Sequence, residues 1–439
     1  MKSQTEKGTP ASLVRGIRRW DLAAMAVNGI IGAGIFGLPS EVFARIGVYS
    51  LFAFAACAVV VVVIILCFAE VGSRFSETGG PYLYAREAFG PLVGFEVGWL
   101  IWVARLTAFA ANCNLLVGYI GFFWPAAGTN PWRPIIIVSV VALISLVNIL
   151  GVRDAAIVGD FFTVGKLIPL LLFIAIGLFF IQRQRYSLGP APGYGEFSSS
   201  CLLLIYAFSG FEMAIIPAGE ARDPRRNQPF ALLTAVGVVA IVYMLIQVVC
   251  IGTLAELATA KRPLADAATG FFGAAGGAII SAGALVSILG NLNVILLAGS
   301  RLPYAMAERS ELPQFLGSVH RRFRTPHISI LITAAVMLAL TLSGTFVYAA
   351  TISAIARLLT YAASCAALPV LRRKDKELPA LFRVPGGVAL AVIALLLSAW
   401  LLSNSTSEQR RDSAIAAAIG LVVYLLYKLL RRQHSMAAP

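Results

Sequence analysis

Twelve apolar runs, each long enough to cross a bilayer as a helix, leave this chain little freedom in what it can fold into. With loose boundaries they lie near 22–44, 49–72, 92–124, 134–151, 156–181, 199–219, 229–253, 270–299, 327–344, 346–370, 386–403 and 413–430. Hydrophobic residues make up 59% of the sequence and charged ones 13%, which excludes a soluble globule. The expected fold is an all-α polytopic membrane protein with 12 transmembrane helices and no separate soluble domain.

A net charge of +14 invites a nucleic-acid partner, but the basic residues fall between the apolar runs instead. With the N-terminus inside, the cytoplasmic segments carry 24 Lys and Arg and the outward loops 8. That bias places both termini in the cytoplasm by the positive-inside rule. Arg183 and Arg185, in the outward loop at 182–197, run against it. Residues 1–19 are polar and basic with no short apolar stretch before a cleavage site, so the first run is expected to stay as an anchor. The expected location is the plasma membrane, the inner membrane in a bacterium. The six cysteines (Cys57, Cys67, Cys113, Cys201, Cys250, Cys365) stand singly in apolar runs or at their edges. Neither they nor His320, His327 and His434 show metal-ligand spacing, so no metal or cofactor is expected. No nucleophile, metal cluster or acid pair suggests an enzyme.

Two of the runs are interrupted. Asn28-Gly29-Ile30-Ile31-Gly32-Ala33-Gly34-Ile35-Phe36-Gly37-Leu38-Pro39 lies in the first, and Ser209-Gly210-Phe211-Glu212, followed by Pro217, in the sixth. Each glycine costs a helix about 1 kcal/mol against alanine. Unwound backbone at membrane depth survives only where protein or a cavity satisfies it. Small residues also let helices pack closely, but packing alone needs no glycine cluster ending in Pro39. Broken helices at matching places in two halves point to a transporter's binding site. Breaks in the first and sixth runs suggest five helices plus five. The expected division is a cytoplasmic segment 1–19, a first repeat over 20–182, an inverted second repeat over 198–370, two appended helices over 386–430 and a cytoplasmic tail 431–439. No residue-level similarity between the halves is visible, so the repeat rests on topology and breaks.

The Gly32-Ala33-Gly34 break exposes N–H groups at a helix terminus, which attract a carboxylate. Carbonyls freed around Ile30 and Ile31, and again between Tyr206 and Glu212, accept from an ammonium group. Donors on one side and acceptors on the other suit a zwitterion, and an α-amino acid is the obvious ligand. Lys166 lies well inside the fifth run, where a buried ammonium needs partners. The carbonyls left by the first break are the natural ones, and such a lysine can release and rebind a proton. The other reading is a lysine snorkelling from a helix end. Gly159 to Lys166 superficially resembles a phosphate loop, but its length is wrong and Leu167 stands where Ser or Thr is required. Glu212 is a candidate proton carrier, gate partner or counter-charge to a cationic substrate, or else the quiet partner of Arg105 or Arg357. Those arginines read as structural rather than substrate-contacting. Tyr206 and Phe208 flank the second break, either as an aromatic lid or as packing. Asn112, Ser287, Asn291 and Tyr361 are polar positions in three other runs. Residues 75–90 read as a turn and a short amphipathic helix, and Glu220 to Pro229 as a charged, proline-bracketed turn.

From about residue 20 to 370 these features resemble the amino acid–polyamine–organocation permeases, which share the leucine-transporter-like fold. Four segments carry the likeness: Gly29 to Phe36, the Gly-Gly-Pro-Tyr-x-Tyr stretch at 79–84, Lys166 with Pro169, and Phe208 to Glu212 with the Glu220-to-Pro229 turn. The resemblance implies a 5+5 inverted repeat with broken helices 1 and 6, and alternating access around a site between helices 1, 3, 6, 8 and 10. It implies a substrate site at Ile30, Ile31, Gly32, Ala33, Gly34, Ile35, Tyr206, Ala207, Ser209 and Gly210. The carboxylate would rest on the backbone of Gly32, Ala33 and Gly34, and the ammonium on carbonyls of Ile30, Tyr206 and Ser209. Lys166 matches the lysine at the sodium position of sodium-independent members, which makes it, with Glu212, a coupling candidate. Tyr206 falls at an aromatic gate, with Phe208 beside it. The implied activity is sodium-independent secondary amino acid transport, by proton symport or exchange. The alternatives are a polyamine or organic-cation carrier, and a non-transporting sensor or partner subunit on the same scaffold. With no acid but Glu212 placed in the side-chain pocket, uncharged or broadly accepted amino acids are expected, then cationic ones.

Overall fold

A computed structural model of the chain describes residues 17–77, 79–151, 155–215, 221–374 and 377–437, with the backbone alone for 155–164 and 430–437. Pro217, Glu220 and most of the 1–19 segment lie outside the described residues, as do the side chains of Gly159 to Val164 and of the tail. Among the described residues fourteen α-helices follow one another: α1 Arg19–Ile30, α2 Gly34–Ile46, α3 Ser50–Gly72, α4 Pro81–Phe89, α5 Pro91–Phe123, α6 Trp132–Leu150, α7 Ala155–Gly177, α8 Tyr194–Phe208, α9 Pro224–Thr253, α10 Pro263–Glu308, α11 His327–Ser343, α12 Phe346–Arg373, α13 Gly387–Ser403 and α14 Ser407–Ala437. The sole extended pairing among them is the isolated bridge between Ile17 and Ala221.

A helix occupies every one of the apolar runs. Among the described residues eight stretches are long and apolar enough to cross a membrane on their own, and Gly165–Phe180, His327–Ser343 and Gly387–Ser403 are shorter apolar helices. Proline heads α4, α5, α9 and α10, where its missing N–H would have had no helical acceptor. Glu196 reaches back to accept from the Gly193 N–H (3.1 Å) at the start of α8. The long α5 packs against α10, α11 and α12, and α1 against α9.

Two expectations change. The eighth run is the core of a longer helical stretch, Pro263–Glu308, interrupted at Gly273 (φ 69°), whose first part buries Leu264, Ala265, Ala267 and Ala268 and whose last part carries on past the apolar run to Glu308. The 220–229 turn is shorter than expected. Asp223 (φ 43°) ends it, its carbonyl accepts from the N–H groups of Arg226 and Asn227, and α9 runs on through Pro229. The short amphipathic helix expected in 75–90 is α4.

Near the end of α3, the fully buried Glu70 accepts from Arg372 of α12 through both oxygens (2.6 and 2.7 Å) and from the Val384 N–H (2.9 Å). Arg74 adds a longer contact of 3.4 Å. The cluster joins α3, α12 and the segment ahead of α13. Removing one side of such a pair costs about 3–5 kcal/mol. Glu70→Ala is therefore expected to lower the melting temperature of the detergent-purified protein markedly. An unchanged melting curve would show that the cluster adds nothing to stability.

Candidate functional site

The helix carrying the first glycine cluster stops at Ile30 and restarts at Gly34. Between them the Gly32 N–H turns back to the Ile30 carbonyl (2.8 Å). The first N–H groups of α2, at Gly34 and Ile35, have no carbonyl ahead of them within the helix. They mark the positive end of its dipole. The second break lies after Phe208: Ser209 is extended and Gly210 has φ 113°, which glycine alone adopts without strain. The two breaks touch. A Cβ on Gly29 would stand 2.5 Å from the Gly210 carbonyl oxygen, and one on Gly210 would land on the carbonyl of Gly29.

Several carbonyls freed here have partners. Lys166 of α7, 4% exposed, donates to the carbonyls of Asn28 and Ile31, at 2.6 Å each. The ammonium thus sits at the negative end of α1, and the Ile31 oxygen expected to face a ligand is already engaged. The Tyr243 hydroxyl of α9 lies between the carbonyls of Ile30 (3.0 Å) and Ala207 (3.2 Å), tying the two broken helices together. Nothing in the sequence singled out Tyr243, which stands alone in an apolar run. The Ser209 hydroxyl donates to the Tyr206 carbonyl (2.8 Å).

A cavity of about 360 Å³ opens beside the breaks. Of the sequence candidates, Ile30, Gly32, Ala33, Gly34, Tyr206, Ser209, Gly210, Lys166 and Glu212 line it, while Ile31, Ile35, Ala207 and Phe208 do not. Phe208 is a correction to the aromatic lid. Its ring meets Phe54 and Tyr243 edge-on at 6.4 and 5.2 Å, on the packed side of α8. Residues two apart on a helix face away from each other, so only Tyr206 looks into the cavity. Its hydroxyl bonds Asn112, and its ring stands edge-on to Phe346 at the start of α12. Ala207 instead backs α8 against Gly34, where a Cβ would come within 2.8 Å of the Ala207 Cα.

Glu212 is saturated: Arg357 holds Oε1, while Tyr361 and the Gly210 N–H, each at 3.0 Å, hold Oε2. Of the two arginines weighed as its partner, Arg357 takes that place and Arg105 does not. Asn112, Ser287 and Asn291 also line the cavity. Sequence reasoning missed Arg301, and the Asn148–Asn293 pair at 2.9 Å, which line it too. Arg301 had a signal, since Ser287, Asn291, Val294 and Arg301 recur at helical spacing along α10, whereas Asn148 and Asn293, on two different helices, had none. The cavity extends toward the end of the bundle where α1 begins and α6 and α10 end, reaching exposed Gly151 and half-buried Arg301.

The sequence profile of a family described as "Amino acid permease" matches residues 17–424. The chain belongs to the amino acid permease family. It is 28% identical to the serine/threonine exchanger SteT of Bacillus subtilis (strain 168) over 420 residues, covering 93% of this chain and 95% of that protein. It is 27% identical to the methylthioribose transporter of the same organism over 449 residues, with 97% and 95% covered. The branched-chain amino acid permease BcaP, again from that organism, is 25% identical over 447 residues, with 97% and 94% covered. The names of these family members specify three kinds of cargo, so likeness at this level does not single out a substrate.

Proposed function

We propose that this permease-family protein is a sodium-independent secondary transporter of amino acids, working by alternating access in the bacterial inner membrane with both termini in the cytoplasm. One observation carries the reading: two interrupted helices meet backbone to backbone at Gly29 and Gly210, beside a cavity. The α-carboxylate rests on the N–H groups of Ala33 and Gly34 at the head of α2, and on that of Gly32 once it lets go of the Ile30 carbonyl that it meets in this structure. The ammonium rests on the Ser209 carbonyl and the second lone pair of the Tyr206 carbonyl, within the segment that also includes Ala207 and Gly210, and on the Ile30 carbonyl when Gly32 releases it. Lys166 holds the position a sodium ion would otherwise fill, and with Glu212 it is the coupling residue that links transport to protons, while exchange proceeds through the cavity. In this reading the helices form twelve spans, with repeats over 20–182 and 198–370 inverted about an axis in the membrane plane and the helices of 386–430 appended. The cavity's reach toward the ends of α6 and α10, which lead into the basic loops, supports an inward-open state. Tyr206, Asn112 and Phe346 close the other side.

A polyamine or organic-cation carrier fits less well. The cavity lining holds Lys166, Arg105, Arg301 and Arg357 against the single carboxylate of Glu212, and such a cargo has no use for donors at the head of α2. A sensor built on this scaffold would bind ligand without moving it. The purified protein in liposomes, without sodium, is expected to support counterflow of labelled amino acids, and their decarboxylated amines should not compete. Competition by the amines would favour the cation carrier. Binding with no counterflow of any amino acid would favour the sensor, and either result would displace the proposal.

A further inference from the structure

We propose that the cavity contains a second anion subsite centred on Arg105, and that the substrates it selects carry a negative group on the side chain: dicarboxylic amino acids such as glutamate and aspartate. The inference rests on the amino acid transport proposed above and names its substrate class. It displaces the sequence-based expectation of uncharged or cationic amino acids.

Arg105 lies in the middle of α5, is 3% exposed and lines the cavity. Among the described residues its two terminal nitrogens reach the Met213 sulfur alone, at 3.8 Å each, and its Nε has no hydrogen-bond partner. A thioether is a weak acceptor. A buried guanidinium left without an anion is costly, and the usual remedy is a carboxylate held through its planar fork. Here Glu212 attracts the guanidinium from beyond hydrogen-bonding range, without meeting it. Among the described residues no carboxylate pairs with Arg105, and the one acid in the cavity already has every oxygen engaged by Arg357, Tyr361 and Gly210. An unoccupied cation that the fold keeps inside its cavity is placed for a ligand's charge.

Its position suits a second carboxylate rather than the first. Met213 is the spacer: its sulfur faces the guanidinium, and its Cγ lies 3.0 Å from where a Cβ of Gly29 would be. Arg105 is therefore about one side chain's width from Gly29, which lines the same cavity as the donors at Ala33 and Gly34. An amino acid held by its backbone at the break presents a side-chain carboxylate across that gap. Farther out, Arg301 is held among the described residues by its own helix, donating to the Leu297 carbonyl (3.1 Å) and the Ser300 hydroxyl (3.0 Å). It stands roughly 15 Å along α10 from Asn291. A cation near the mouth draws anions inward.

The test compares charged and amide substrates of equal shape. In sodium-free liposomes, labelled glutamate and aspartate are expected to outrun glutamine and asparagine in counterflow by about tenfold to a hundredfold, the usual worth of one charge-assisted hydrogen bond. Arg105→Gln should reverse the order, and Arg105→Lys should keep part of it. In detergent, glutamate but not glutamine should raise the melting temperature of the wild type, and the rise should vanish in Arg105→Gln. Counterflow of neutral amino acids equal to or faster than that of the acids overturns this inference and leaves amino acid transport standing. So does an Arg105→Gln that slows every substrate alike, which would mark Arg105 as a gate or structural element. Stabilisation by chloride alone would mean a site for inorganic anions and would overturn it too. Absence of counterflow for any amino acid would bring down both proposals.

Discussion

Gly210→Val is expected to reduce transport to background while Gly237→Ala leaves it intact. The contrast isolates what the second break requires. Gly210 has φ 113°, outside the range of a β-branched residue, and its Cβ would fall on the carbonyl of Gly29. A side chain there is strained by about 1–2 kcal/mol from the backbone alone. Overpacking adds about 1–3 kcal/mol, and the cheapest relief is to push the two broken helices apart. Their separation moves the carbonyls of Tyr206 and Ser209 away from the head of α2, so the proposed zwitterion site loses one half while the rest of the fold persists. Each charge-assisted bond lost is worth about tenfold to a hundredfold in affinity. Gly237, within α9, has nothing within 4 Å of an added Cβ, so alanine there is tolerated. Counterflow of the wild type's best substrate, normalised to protein that elutes as a single species, provides the measurement. Near-normal transport by Gly210→Val would show that contact between the breaks is dispensable.

This contrast also shows what was legible in the sequence. The helices and both breaks were, because an apolar run and a glycine cluster act through local chemistry that needs no neighbour. That Gly32 to Gly34, Ser209 and Gly210 line a cavity followed from the same logic, as did partners for Lys166 among the freed carbonyls. Partner choice between distant side chains was not legible. Arg105 and Arg357 looked equivalent as partners for Glu212, and only the packing of α5 and α12 around the second break distinguishes them. Phe208 is an intermediate case: helical geometry already placed it opposite Tyr206, but not which of the two faced the cavity. Arg301 was counted as a loop cation because the apolar run ends before it, whereas α10 continues to Glu308. Tyr243 carried no signal, since a hydroxyl in an apolar span gains meaning only from the carbonyls it meets.

Replacing Lys166 by methionine is expected to abolish accumulation driven by a pH gradient while counterflow persists, slowed. Methionine approximates the length of the lysine stem, so the packing of α7 against α10 is kept and the change is confined to the charge and its donors. In the wild type the ammonium satisfies the carbonyls of Asn28 and Ile31 at once, pinning the end of α1 to α7. Without it both oxygens are buried with no donor, at about 1–3 kcal/mol each, and a modest fall in melting temperature should accompany the loss of drive. Lys166 forms no ion pair among the described residues. A proton leaving it therefore removes the one positive charge at this point of the break, loosens α1 from α7 and biases the first helix toward movement. That sequence links protonation to the opening and closing of the cavity, whereas exchange of one amino acid for another needs only the cavity itself. The two activities should therefore separate in the variant. pH-driven accumulation retained by Lys166→Met would show the lysine to be a structural tether and would place the coupling elsewhere, with Glu212 the next residue to test.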